Sequence, residues 1–157
     1  MTKKITKKQV TWYGLLDVIT ESVRDWKPTE LSRENQYSAA LADYLREVCP
    51  PDTRVETEYR DGGTTVDVWL SWQGLLFSDQ LFIELKRNLR KKTDYDRLVG
   101  QIVALKPGNR RILIVLIGDT SDKLLGRLTE HFQTELEESE ESMRIVTIKP
   151  ISDGSSD

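Results

Sequence analysis

Cysteine is almost missing from this 157-residue chain; Cys49 is the only one. No intrachain disulfide can form, and a cytoplasmic setting is the simplest expectation. Long apolar runs are missing as well. The longest, Ile112 to Ile117, is far too short to span a bilayer. The Lys-rich amino end, Met1 to Lys8, lacks the apolar stretch of a targeting peptide. No internal repeat is visible. Histidine is reduced to His131, next to Phe132, where a solvated helix residue is expected rather than a catalyst. Cys49, just before Pro50-Pro51, reads as a structural filler.

What is present suits one soluble globular domain over 1–150, with a short polar tail at 151–157 expected to be flexible. Hydrophobic residues make up 38% and charged residues 31% of the chain, which argues against a disordered protein. The net charge of −3 hides an asymmetry. Lys86 to Arg111 holds nine Lys/Arg against Asp94 and Asp96, whereas Asp119 to Asp157 holds ten acids against four bases. Such a local basic cluster is what phosphate binding needs. The acidic carboxyl segment is the expected surface for a protein partner, and its block Glu135 to Glu141 is expected to end a helix.

Periodicity gives an α/β chain. Val10, Tyr13, Leu16, Ile19, Val23 and Trp26 recur at helical spacing over Lys7 to Trp26. A second helix is expected from an N-cap at Ser32 to Pro50-Pro51. Three strands come next, at 54–60, 64–72 and 80–87, the first two joined by Asp61-Gly62-Gly63. Thr93-x-x-Asp96 resembles a capping box opening a third helix, lined by Tyr95, Leu98, Ile102 and Leu105 and closed by Pro107-Gly108. Arg111 to Ile117 reads as a strand buried on both faces. A fourth helix carries Leu125, Leu128, Phe132 and Leu136, and a last strand covers 144–148. The sum is a mixed sheet flanked by helices.

Two of these strands carry chemistry. Side chains alternate between faces of a strand. In Thr65-Val66-Asp67-Val68-Trp69-Leu70, Asp67 shares a face with Thr65, Trp69 and Ser71, against Val66, Val68, Leu70 and Trp72. In Phe82-Ile83-Glu84-Leu85-Lys86, Glu84 and Lys86 point one way, Ile83 and Leu85 the other. If the strands are neighbours, two carboxylates and an ammonium converge. Two like charges about 4 Å apart repel by roughly 4 kcal/mol at an effective dielectric near 20. Protonation, Lys86 or a cation must compensate, and Mg²⁺ favours a few carboxylate oxygens with water and substrate phosphate. Lys86, favoured as an ammonium by its neighbours, is expected to orient the attacking water rather than act as general base. Trp69 could stack on a base, although core packing is the stronger expectation. Glu56 and Glu58 in the preceding strand are expected at the surface. Arg87, Arg90, Lys91 and Lys92, directly after Lys86, are the expected phosphate contacts.

Asp67 followed by Glu84-Leu85-Lys86 in the next strand, within a helix, three-strand, helix, strand order, resembles the PD-(D/E)XK nuclease superfamily. The resemblance covers about 30–118 and implies a restriction-endonuclease-like αβββαβ core, here with an extra amino-terminal helix. It implies a Mg²⁺- or Mn²⁺-dependent nuclease acting on nucleic acid, DNA first, through a metal-activated water. Asp67 and Glu84 would hold the metal with the Leu85 backbone carbonyl, and Lys86 would serve the water. The superfamily's glutamate before the first strand falls on Glu34, and its glutamine on the helix after the motif falls on Gln101. Val66 stands where proline often precedes the aspartate, and no target-recognition domain is visible. A homodimer would suit a small domain that cuts one strand per visit. A catalytically silent module binding nucleic acid or a partner protein is the alternative, and an unrelated α/β binding domain with a chance E-x-K is a third.

Overall fold

The computed structural model describes residues 3–106, 110–137 and 142–152. Helix α1 (Lys7–Arg24) opens on a capping box. Thr6 Oγ1 accepts the Gln9 N–H at 3.1 Å and Gln9 Oε1 accepts the Thr6 N–H at 2.8 Å. The helix breaks at Gly14, whose φ of 82° lies in the left-handed region that glycine tolerates. Helix α2 (Glu34–Val48) comes next. Its N-cap is Arg33 rather than the expected Ser32, because Gln36 folds back to take the backbone N–H groups of Ser32 and Arg33.

Strands β1 (Arg54–Asp61), β2 (Thr64–Gln73) and β3 (Ser78–Arg87) form an antiparallel meander. Helix α3 (Lys92–Leu105) crosses over to β4 (Ile112–Ile117), which lies parallel to β3. Helix α4 (Asp122–His131) and the short α5 (Gln133–Glu137) lead to β5 (Met143–Ile148), parallel to β4. The sheet order is β1-β2-β3-β4-β5. The mixed α/β architecture and the αβββαβ element order expected from the sequence are both present.

Each face of the sheet has its own core. Val68, Leu70, Ile83, Leu85, Leu113 and Val115 pack with α1 and α2. Phe82, Ile114 and Leu116 pack with Leu98 and Ile102 of α3 and Leu128 of α4. Helices on both sides explain why all six residues of β4 are buried. Each such Leu or Ile contributes about 1.5–3 kcal/mol. The alternation in β3 sends Ile83 and Leu85 to the α1/α2 side and so turns Glu84 and Lys86 toward α3.

Several local expectations are corrected. Thr93 is not a cap: α3 begins at Lys92 behind Lys91, with no side-chain cap. The buried stripe of α4 starts at Leu124, and Leu125 is only half-buried, since Leu124, Leu128 and Phe132 keep the four-residue spacing. Val66 joins the same core as Trp69, not that of Val68. Across from this step, Glu58 of β1 has left-handed backbone, with φ 49°, between the pairs Thr57–Val68 and Tyr59–Val66. Ile151 is not free tail. Its N–H donates to Pro28 O at 2.8 Å, and its carbonyl accepts the Glu30 N–H at 2.9 Å. The expected helix end at Pro107-Gly108, most of the acidic block (138–141) and the tail at 153–157 lie outside the described residues. Among the described residues, no helix is long and apolar enough to cross a membrane.

Candidate active site

The site forms where β2 and β3 part. Their ladder ends at Val68 opposite Ile83. Beyond that point Asp67 supplies with its side chain the acceptor that a strand would have supplied. Its Oδ2 accepts the Leu85 N–H at 2.8 Å. Two residues on, Glu34 Oε2 at the start of α2 accepts the Arg87 N–H at 3.0 Å. Two carboxylates therefore cap alternate N–H groups along one edge of β3. In a paired strand a residue's N–H and C=O leave on the same edge, which turns the Leu85 carbonyl toward Asp67 as well.

Glu84 lies beside Asp67 and is 1% exposed. Its Oε1 is buried without a hydrogen-bond partner. Burial, then the Asp67 charge, pushes the Glu84 carboxyl up to about 9. Burial also raises Asp67, against the Leu85 hydrogen bond that lowers it. The metal-free pair thus keeps a proton that separate carboxylates would release.

Lys86 does not lean on this pair alone. Its Nζ lies 3.7 Å from Glu34 Oε2 and 3.8 Å from Asp94 Oδ1, so α2 and α3 hold it from two sides. Asp94 escapes a reading of the strands because it belongs to the first turn of the following helix. The only sequence signal was an acid inside an otherwise basic run.

Asp67, Glu84, Lys86 and Glu34 are therefore brought together, with Leu85 between them. Gln101 is not. Leu98, Ile102 and Leu105 form the buried stripe of α3, and Gln101 is exposed beside it. Three residues of helix turn Gln101 by about 300° from Leu98, which puts it at the stripe's margin.

The expected phosphate contacts divide. Arg90 pairs with Asp119, and Lys92 pairs with Asp96 at 3.0 Å. Arg87 and Lys91 have no side-chain partner among the described residues. Trp69 is core: 3% exposed, stacked on Tyr59 at 3.9 Å, with its indole N–H donated to Gln80 Oε1 at 3.1 Å. Glu58 is exposed, and Glu56 pairs with Arg54.

Among the described residues no three His, Cys, Asp or Glu side chains are grouped to hold a metal by themselves. The donor set on offer is two carboxylates, a backbone carbonyl and water, which is oxygen chemistry suited to Mg²⁺ or Mn²⁺. The orphaned Glu84 Oε1 fits such a hard cation.

No protein-family model and no curated protein matches the chain. Among solved structures it is similar to the MspJI restriction endonuclease in complex with a 27-mer oligonucleotide. The identity is 13% and the TM-score 0.35, over 92% of this chain and 30% of that one. The chain thus spans under a third of that protein's length.

Proposed function

We propose that this chain is a divalent-metal-dependent nuclease that hydrolyses phosphodiester bonds in nucleic acid, DNA first. The observation that carries the reading is the Asp67–Glu84 pair: two buried carboxyls side by side that share a hydrogen bond, at a point where the strands open. Two acids buried side by side need either a retained proton or a cation between them, and a bound divalent ion would take the proton's place. Asp67, Glu84 and the Leu85 carbonyl are the groups that would hold Mg²⁺ or Mn²⁺. When bound, the ion supplies Lewis acidity that activates a water and offsets charge developing on phosphorus.

The chain's own residues do the rest. Asp67, fixed by the Leu85 N–H, cannot swing away from the site. Lys86, held between Glu34 and Asp94, presents its ammonium to the attacking water and to a non-bridging phosphate oxygen. Glu34, fixed by the Arg87 N–H, sets where that ammonium sits.

The test is cleavage of linear duplex, single-stranded and branched DNA and of RNA with Mg²⁺, Mn²⁺ or EDTA. Lys86→Ala and Asp67→Ala are run alongside. Metal-dependent cutting that falls by about 10³-fold in both variants is the expected result. Wild-type cutting retained in both would remove these residues from the mechanism. A folded protein that binds DNA but never cuts would make it a silent binding module.

A further inference from the structure

The three parallel strands β3, β4 and β5 end side by side, and the residues at and just beyond their carboxyl ends line one cleft of about 340 Å³. Arg87 and Asn88 come from β3, Gly118 and Asp119 from β4, and Lys149 from the end of β5.

The floor of this cleft is fixed. Asn88 and Gly118 both adopt left-handed backbone, with φ 52° and 86°. Asn88 Oδ1 accepts the Asp119 N–H at 2.9 Å, and the Asn88 N–H donates to Ile117 O at 2.8 Å. A side chain at Gly118 would run into Asn88 Oδ1. Lys149 is equally well placed: the next turn of chain is tied down through Ile151 to Pro28 and Glu30.

Two cations face this cleft without a side-chain partner among the described residues, Arg87 and Lys149. Among the described residues its acids are Asp119, already engaged by Arg90, and the exposed Glu30. A larger groove of about 1000 Å³ at the opposite end of the sheet also carries Lys106, Arg110, Arg111 and Arg144. Those four are paired with Glu135, Asp61, Asp79 and Asp17. Cations left uncompensated beside a rigid backbone distinguish the smaller cleft.

We propose that the cleft between Arg87 and Lys149 is a phosphate subsite. It takes the phosphate next to the scissile one in a bound nucleic-acid strand. This rests on the nuclease reading for the identity of the strand, though not for the anion chemistry. Successive residues of β3 point to opposite faces, so Lys86 and Arg87 serve two phosphates on either side of the sheet edge. The Arg87 guanidinium can fork two phosphate oxygens while Lys149 adds a point charge.

The experiment measures binding of fluorescent single-stranded and duplex DNA to the full chain in EDTA across a salt series, so no cleavage is needed. Arg87→Gln, Lys149→Gln and the double variant are compared with Lys8→Gln, an exposed lysine on α1. Melting temperatures with and without millimolar inorganic phosphate are read in parallel. The expected result is a severalfold loss of affinity in each variant, independent of sequence, and a log–log salt slope reduced by about one per lost contact. Phosphate should raise the wild-type melting temperature and not that of the double variant. Loss of that stabilisation with DNA affinity intact would keep the subsite and assign it to a free nucleotide or phosphate. A double variant that matches Lys8→Gln in both measurements would overturn it. Because EDTA removes the metal, a subsite that survives without cleavage and cleavage that survives without the subsite are separate outcomes.

Discussion

The two ends of the parallel sheet bury the same kind of group and treat it in opposite ways. At the amino end, Asp79 of β3 is 5% exposed and fully engaged. Its Oδ2 accepts the Leu15 N–H at 2.8 Å, and its Oδ1 takes Arg111 Nη1 at 2.7 Å and the Gln80 N–H at 2.9 Å. The break at Gly14 frees the Leu15 N–H, and Asp79 then caps the second half of α1. At the carboxyl end Glu84, five residues along the same strand, is buried as deeply with an oxygen left over. One acid completes a structure. The other shares a hydrogen bond with Asp67 and keeps Oε1 without a donor among the described residues.

The sharpest test of this contrast is pH. The folded chain holds the Glu84 proton more tightly than the unfolded chain, where the carboxyl returns to its ordinary 4.5. The Glu84 contribution to stability in EDTA is therefore fully present below about 4.5 and is lost as pH rises toward about 9. The loss runs up to about 1.4 kcal/mol per pH unit for one proton. Urea unfolding at several pH values should show this slope in the wild type and a much flatter one in Glu84→Gln. Equal slopes would mean that the buried charge is not concentrated at Glu84. Mg²⁺ should reduce the wild-type loss, because it stabilises the ionised pair.

Asp79→Ala addresses the other end. It strands the Leu15 N–H and unpairs Arg111, so a loss of about 2–3 kcal/mol is expected in the same unfolding assay. Its pH slope should stay that of the wild type, since Glu84 is untouched. A small loss would show that α1 needs no cap at its break.

The smallest effects come from two glycines. Gly14→Ala and Gly118→Ala each force a side chain onto positive-φ backbone, at about 1–3 kcal/mol. An added Cβ at Gly14 meets Asp79 Oδ2 at an ordinary 3.4 Å, whereas at Gly118 it collides with Asn88. Gly118→Ala should therefore cost more in melting temperature and also weaken DNA binding, while Gly14→Ala leaves binding alone. Equal effects on binding would argue against a rigid floor in the carboxyl-end cleft.

Much of this was legible in the residues. Period-two and period-3.6 patterns located the helices and strands to within a few positions, because burial on one face leaves its mark in the sequence. Asp67, Glu84 and Lys86 stood out as polar residues in strands otherwise apolar. Other features were hidden. Asp79 alternates with Leu81, Ile83 and Leu85 on the apolar face, but it lies just before the expected start of its strand. Asp94 and Lys149 sit outside the strands that carry the motif. Gln101 was placed only by the resemblance, and helical spacing alone does not fix whether a residue beside the buried stripe reaches the site.

By itself, then, the sequence determined the element order, the two-sided core and which acidic and basic side chains rest on rigid strands. These arise from local spacing and from the need to bury apolar surface. Only the tertiary structure decided that β2 and β3 separate at Asp67, that Glu34 and Asp94 grip Lys86 from two helices, and that Arg87 and Lys149 meet across three strand ends. Such meetings depend on where distant segments stop and turn, and no local pattern encodes the distance between two ends of a chain.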